Sequence, residues 1–191
     1  MTTQAADDLA RKVLGFWFEE AGRSKWFARN DAFDAEVRAR FEDAAIMAAA
    51  GLKIEGRHDW QERPETALAL TLMLDQFPRN MYRGTKAAYA WDDLALMVAR
   101  GAVARGFDLK MPMDRRSFFY MPYMHAENLA AQDECVRLVE SRLESESTLF
   151  HARAHRELIK RFGRFPHRNE VLGRENTPEE TEYLRSGGYT P

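Results

Sequence analysis

Along nearly the whole chain, apolar residues recur three and four positions apart, and alternation at period two is almost absent. That spacing predicts helices and no sheet. From Asp7 to about Glu20, Leu9, Val13, Leu14, Phe16, Trp17 and Phe18 form one wide apolar face, and a loop with Gly22 and Ser24 follows. Asp31 to Ala50 is the next predicted helix, with Phe33, Val37, Phe41, Ala45 and Ala48 in register and Gly51 as its stop. Leu52 to Arg63 reads as a loop. Pro64 suits a first helical turn, where its missing N–H costs nothing. The helix it opens is apolar almost all round and should lie at the centre of the fold.

Pro78 disfavours helix at Phe77, so that helix is expected to end there and the chain to turn over Phe77–Gly84. A long helix is predicted from Thr85 to about Arg105, closed by Gly106. Asp114 is a candidate cap for a segment to Asn128 that is kinked or broken at Pro122. Leu129–Leu143 and Thr148–Phe162 read as two more helices, with Gly163 ending the second. Thr177-Pro-Glu-Glu180 is a capping box with Pro at the first helical position, and Ser186–Pro191 is expected to be a loose tail. The result is one all-α domain over residues 1–191, built from antiparallel helix pairs. No fixed-period repeat is visible, so periodicity alone does not give a solenoid.

Composition narrows the function classes. The 28 basic and 30 acidic residues give a net charge of -2, which argues against a nucleic-acid binder. The lone cysteine, Cys135, leaves no intrachain disulfide and suits a reducing cytoplasm. The polar, acidic start is unlike a signal peptide, and the longest apolar run, Thr66 to Leu74, is too short for a bilayer. Zinc spacing, a Walker loop, a dinucleotide fingerprint and a GxSxG elbow are all missing, so no metal and no cofactor are expected. The oligomeric state is not legible.

Chemistry-bearing residues concentrate in three words. FPRN spans Phe77–Asn80, RFGRFPHRN spans Arg161–Asn169, and FARN spans Phe27–Asn30. In the last, Asn30 or Asp31 serves as a helix cap. In the first two, Phe anchors a turn and Pro stiffens it, which leaves the accompanying arginines to explain. Arg79, Arg83, Arg164 and Arg168 present planar guanidinium groups suited to carboxylate or phosphate. The competing reading pairs them internally with Asp75, Asp92, Glu127 or Glu175. His125 and His167 sit among polar residues at a kink or turn, where a neutral imidazole can act as acid or base near pH 7. On a continuous helix His125, Asn128 and Gln132 would share one face. His151 and His155, four apart, read as a solvent-facing pair.

Together with Val13–Phe18, Lys25–Phe27, Asp75–Asn80, Arg83–Thr85, Tyr123–Glu127, Gln132, His155, the Arg161–Asn169 word and Arg174, these residues resemble the bacterial domain-of-unknown-function 924 family over about residues 9–185. The resemblance implies an all-α fold similar to tetratricopeptide-repeat arrays. The family's motif positions fall on Asp75, Gln76, Arg79, Asn80, Arg83, Asp92, His125, Glu127, Gln132, His155, Arg164, His167, Arg168, Asn169 and Arg174. Ala126 stands where the family often has Ser, and FARN is not a dependable family feature. The family carries no settled activity.

Three functional readings follow. In the first, FPRN and FPHRN form one pocket for a small anion, with His125 and His167 as proton-transfer groups. Arg79, Asn80, Arg83, Glu127, Arg164, Arg168 and Asn169 are then the ligand-binding set. In the second, the helices form a groove for a peptide or protein partner. In the third, the polar words only lock helix ends together. The first requires Arg79 and Arg168 to meet although far apart in sequence.

Overall fold

The computed structural model describes residues 3–190, and among these there is no strand. The helices are α1 (Thr3–Gly15), α2 (Arg23–Trp26), α3 (Asp31–Glu55), α4 (Pro64–Met81), α5 (Asp92–Ala104), α6 (Met113–Arg116), α7 (Met121–His125), α8 (Leu129–Arg142), α9 (Glu146–Phe162) and α10 (Pro178–Arg185). Among the described residues no helix is long and apolar enough to cross a membrane.

The all-round apolar helix is the centre, as its sequence predicts. α4 packs against α1, α3, α5 and α7, and every residue from Thr66 to Pro78 is buried. Phe77 lies among Phe16, Trp17 and Phe41, with ring centroids 5.0–6.3 Å apart. α1 passes into a π-helical turn, Phe16–Ala21, which buries both Phe16 and Trp17. α8 and α9, joined by three residues, pack on each other. A smaller apolar cluster of Leu158, Ile159 and Phe165 forms beyond them.

Several boundaries differ from the sequence reading, each for a local reason. α3 runs through Gly51 to Glu55, and Gly56, at φ 69°, is the stop. A mid-helix glycine costs about 1 kcal/mol, an amount that burial of Leu52 one residue on can offset. α4 does not end at Phe77. It continues through Pro78 to Met81. Pro78 removes only the bond to the Leu74 carbonyl, and one residue on the Arg79 guanidinium donates to the Asp75 carbonyl at 2.8 Å. Burial of Phe77 opposes the strain.

The helix predicted from Thr85 is a 3₁₀ turn, Lys86–Tyr89, before α5 begins at Asp92. Thr85 spends its hydroxyl on the Tyr82 carbonyl instead of capping. Pro112, not Asp114, precedes α6, and Pro122 opens α7 instead of breaking it. His125, Asn128 and Gln132 therefore do not share one helix. α7 stops at His125, and Asn128 caps α8 by accepting from Ala131 N at 2.9 Å. The caps at Asn30 and Thr177 form as read, and Gly163 ends α9 at φ 71°.

Candidate functional site

FPRN and FPHRN meet, and Asp92 at the start of α5 joins them. Arg79 grips both Asp92 oxygens at 2.9 and 3.0 Å, and Arg168 donates to one of them at 3.3 Å. Both guanidinium groups lie over the Tyr89 ring, at 5.6 and 4.6 Å. Arg79 also stands 3.3 Å from Asp75, and Arg168 donates to the His125 carbonyl at 3.1 Å. Two arginines and two aspartates make a neutral set that needs no external anion to balance it. Arg168 is buried among these partners and does not line the cleft described below.

The rest of RFGRFPHRN closes the C-terminal quarter on itself. Glu127 accepts from Phe165 N at 2.8 Å and binds Arg174 through both oxygens. Arg164 chelates Glu180 at 2.6 and 2.7 Å. Asn169 accepts from Arg174 and donates to Asn176. Pro166 opens a 3₁₀ turn, and His167 is held beside Phe165 with its Nδ1 buried and unpartnered. Glu127, Arg164, His167 and Asn169 are thus brought together, but away from the cleft.

That cleft has a volume of about 490 Å³ and lies where α2, α4, α7, α9 and the C-terminal segment converge. Trp26, Phe27, Met121 and Met124 form its apolar wall. Trp26 is pinned there because its indole N–H donates to the Trp17 carbonyl at 2.7 Å. Gln76, Arg79, Asn80 and Arg83 line another side, the three histidines 125, 151 and 155 a third. No carboxylate lines it. Asp34 takes two donors of Arg83, at 2.6 and 3.0 Å, and the Asn80 amide at 2.7 Å, which leaves one Arg83 nitrogen without a protein partner among the described residues.

His125 is the most chemically defined group in the cleft. Its Nδ1 lies 2.7 Å from Asp75 Oδ1, and Gln76 donates to the other oxygen at 2.6 Å. Burial alone would raise the pKa of Asp75, but the Arg79 charge and the hydrogen bonds from His125 and Gln76 hold the carboxyl far below the usual range. An ionised Asp75 only accepts, so Nδ1 carries the proton. Burial and Arg79 push the His125 pKa below its ordinary value, against the pull of Asp75. The state that follows is a neutral imidazole whose Nε2 lone pair has no protein partner among the described residues. Gln132 fixes the ring's backbone by donating to the carbonyls of Met124 and Ala126, at 2.7 and 2.8 Å. This arrangement orients a base near pH 7.

His155 repeats the pattern. Its Nδ1 donates to the His151 carbonyl at 2.7 Å, and its ring centroid lies 6.4 Å from that of His125. Burial, then the neighbouring His125, push its pKa down to about 3. The expected solvent-facing pair is only half so: His151 is exposed and His155 buried. His151 Nδ1 pairs with the Tyr189 hydroxyl at 2.8 Å, so the tail expected to be loose contributes a wall of the cleft. Tyr189 was not among the candidate residues, and Asp75 and His155 stood only among the family's motif positions, outside the proton-transfer and ligand-binding sets. Asp75 and His125 are 50 positions apart, and no local spacing signals their contact. Among the described residues no group of three or more ligating side chains could hold a metal.

A family model described as a bacterial protein of unknown function (DUF924) matches residues 13–188. The chain is similar to a solved structure described as a protein of unknown function, ATU0120, from Agrobacterium tumefaciens. Identity is 46%, coverage is 95% of this chain and 99% of that one, and the TM-score is 0.87. No curated protein matches the chain.

Proposed function

The chain belongs to the DUF924 family of bacterial proteins of unknown function, and for it we propose a cleft that binds a small organic acid and uses His125 as a proton acceptor. The observation that carries this reading is the Asp75–His125 pair: Nδ1 is committed to a buried carboxylate, Nε2 has no protein partner among the described residues, and the residue lines the cleft. A structural histidine would have its second nitrogen satisfied or sealed in apolar packing. The acid character follows from the lining: it holds no carboxylate, and one Arg83 nitrogen is still able to donate. The apolar wall of Trp26, Phe27, Met121 and Met124 suits the hydrocarbon part of such a molecule. Asn80 and Arg83 are the binding set, and Arg79, held by Asp75 and Asp92, shapes the wall beside them. Arg164, Arg168, Asn169, Glu127 and His167 hold the walls that position that set.

Straight-chain carboxylates from acetate to octanoate test the reading. Octanoate is expected to raise the melting temperature and to slow carbethoxylation of His125 by diethyl pyrocarbonate, which attacks accessible neutral imidazole. Arg83→Ala should weaken that protection about tenfold, the loss of one charge-assisted hydrogen bond. If no acid of the series protects His125 or raises the melting temperature, the cleft is not an acid site.

A further inference from the structure

Beyond the cleft residues already assigned, the C-terminal segment is built to deliver one side chain. Gly187 takes φ 76°, a conformation that disfavours any residue with a side chain. A Cβ on Gly188 would stand 2.3 Å from the Tyr183 ring, so only glycine lets the chain pass that close. The Tyr183 hydroxyl then donates to the Tyr189 carbonyl at 3.2 Å. These three devices set Tyr189 down on the histidines. Its ring lies 5.7 Å from His155 and 6.0 Å from His151, and its hydroxyl meets His151 Nδ1. Buried His155 thus meets the Tyr189 ring in an edge-to-face contact.

The other end of the cleft is different. Trp26, Phe27, Met121, Ser147 and Thr148 line both this cleft and a second chamber that runs on toward Ser117 and Glu144. The histidines and Tyr189 line only the first. Sharing these five residues, the two chambers lie side by side, and the trough they outline has Tyr189 at its histidine end.

We infer that Tyr189 determines specificity by closing the histidine end of the trough, so that the site takes linear acids end-on and excludes those branched beside the head group. The inference rests on the reading of the cleft as an acid site. An end-on ligand places its head among His125, Arg83 and Tyr189 and its chain along Trp26 and Met121. A branch at the carbon next to the carboxylate would run into the Tyr189 ring.

Two measurements decide it. Without any ligand, carbethoxylation of His155, followed by mass spectrometry, is slow in the natural chain and in Tyr189→Phe, which keeps the ring. It becomes several-fold faster in Tyr189→Ala and in Gly188→Ala, whose Cβ expels the segment. His58, in a separate pocket, is the internal reference. Equal His155 rates in the natural chain and both alanine variants overturn the inference, whatever any acid does. With acid, octanoate protects His125 in the natural chain and its branched isomer 2-propylpentanoate does not. Tyr189→Ala admits both. Selectivity that survives Tyr189→Ala unchanged also overturns the inference. Failure of both acids, with His155 unmasked as described, counts against the acid site and leaves the closing role of Tyr189 standing.

Discussion

Replacing Asp75 with alanine is expected to cost about 3–5 kcal/mol of folding stability, because it strips a buried charge network of one member. Asp75 is almost wholly buried and answers His125, Gln76 and Arg79 at once. Without it the Arg79 guanidinium retains Asp92, but the imidazole N–H and the Gln76 amide lose their acceptor. Asp75→Asn keeps the shape and should cost less. It presents an amide N–H or a neutral carbonyl where a carboxylate stood, and so frees His125 to take the other tautomer. Denaturant titration of both variants measures the difference. A loss under 1 kcal/mol for Asp75→Ala would mean that the pair is solvated rather than buried.

Stability should fall as pH drops below about 6.5, before most carboxylates titrate. The folded pKa values of His155 and His167 are depressed to about 3 and about 4, from 6.5. Burial is the first cause in each, joined by His125 for His155 and by Arg168 for His167. Between pH 6.5 and 4 the unfolded chain takes up protons that the folded chain refuses, so the folded state loses ground. The neutral-pH advantage is complete above 6.5 and is lost as pH falls toward the folded values. Each histidine contributes about 1.4 kcal/mol per pH unit in that window. Below about 3.8 Asp75 adds its own loss, since its folded carboxyl is depressed in turn. Urea titrations at pH 7.5, 6.0 and 5.0 read the slope. His155→Asn, whose amide can still donate to the His151 carbonyl, should flatten it by about one proton. A stability independent of pH from 7 to 5 would contradict the burial of both rings.

Much of the fold was legible because local chemistry and packing agree there. Asn30, Thr177, Pro64 and Gly163 act at helix ends as their types require, and the apolar run after Pro64 is the buried centre. The errors fall where packing overrides a local rule. Pro78 stays helical because Phe77 is locked among aromatic rings. Gly51 stays helical because Leu52 is core. The site was legible in part. FPRN and FPHRN do come together, but through Asp92, a residue whose role depends on a contact 76 positions away. The arginine density mostly closes the protein on itself, as Glu127 with Arg174 and Glu180 with Arg164 show. The reactive geometry lies one layer over, between a helix interior carboxylate and a histidine at a helix end, and Tyr189 joins it from a tail with no periodic pattern at all.

The proposed role rests on the protonation state of one ring, which nitrogen-detected NMR of the histidine side chains at pH 7 reads out. His125 is expected as a neutral imidazole with its proton on Nδ1, shared with Asp75, and a bare Nε2. An imidazolium, or a neutral ring carrying its proton on Nε2, would leave no lone pair facing the cleft and would contradict the proposed role.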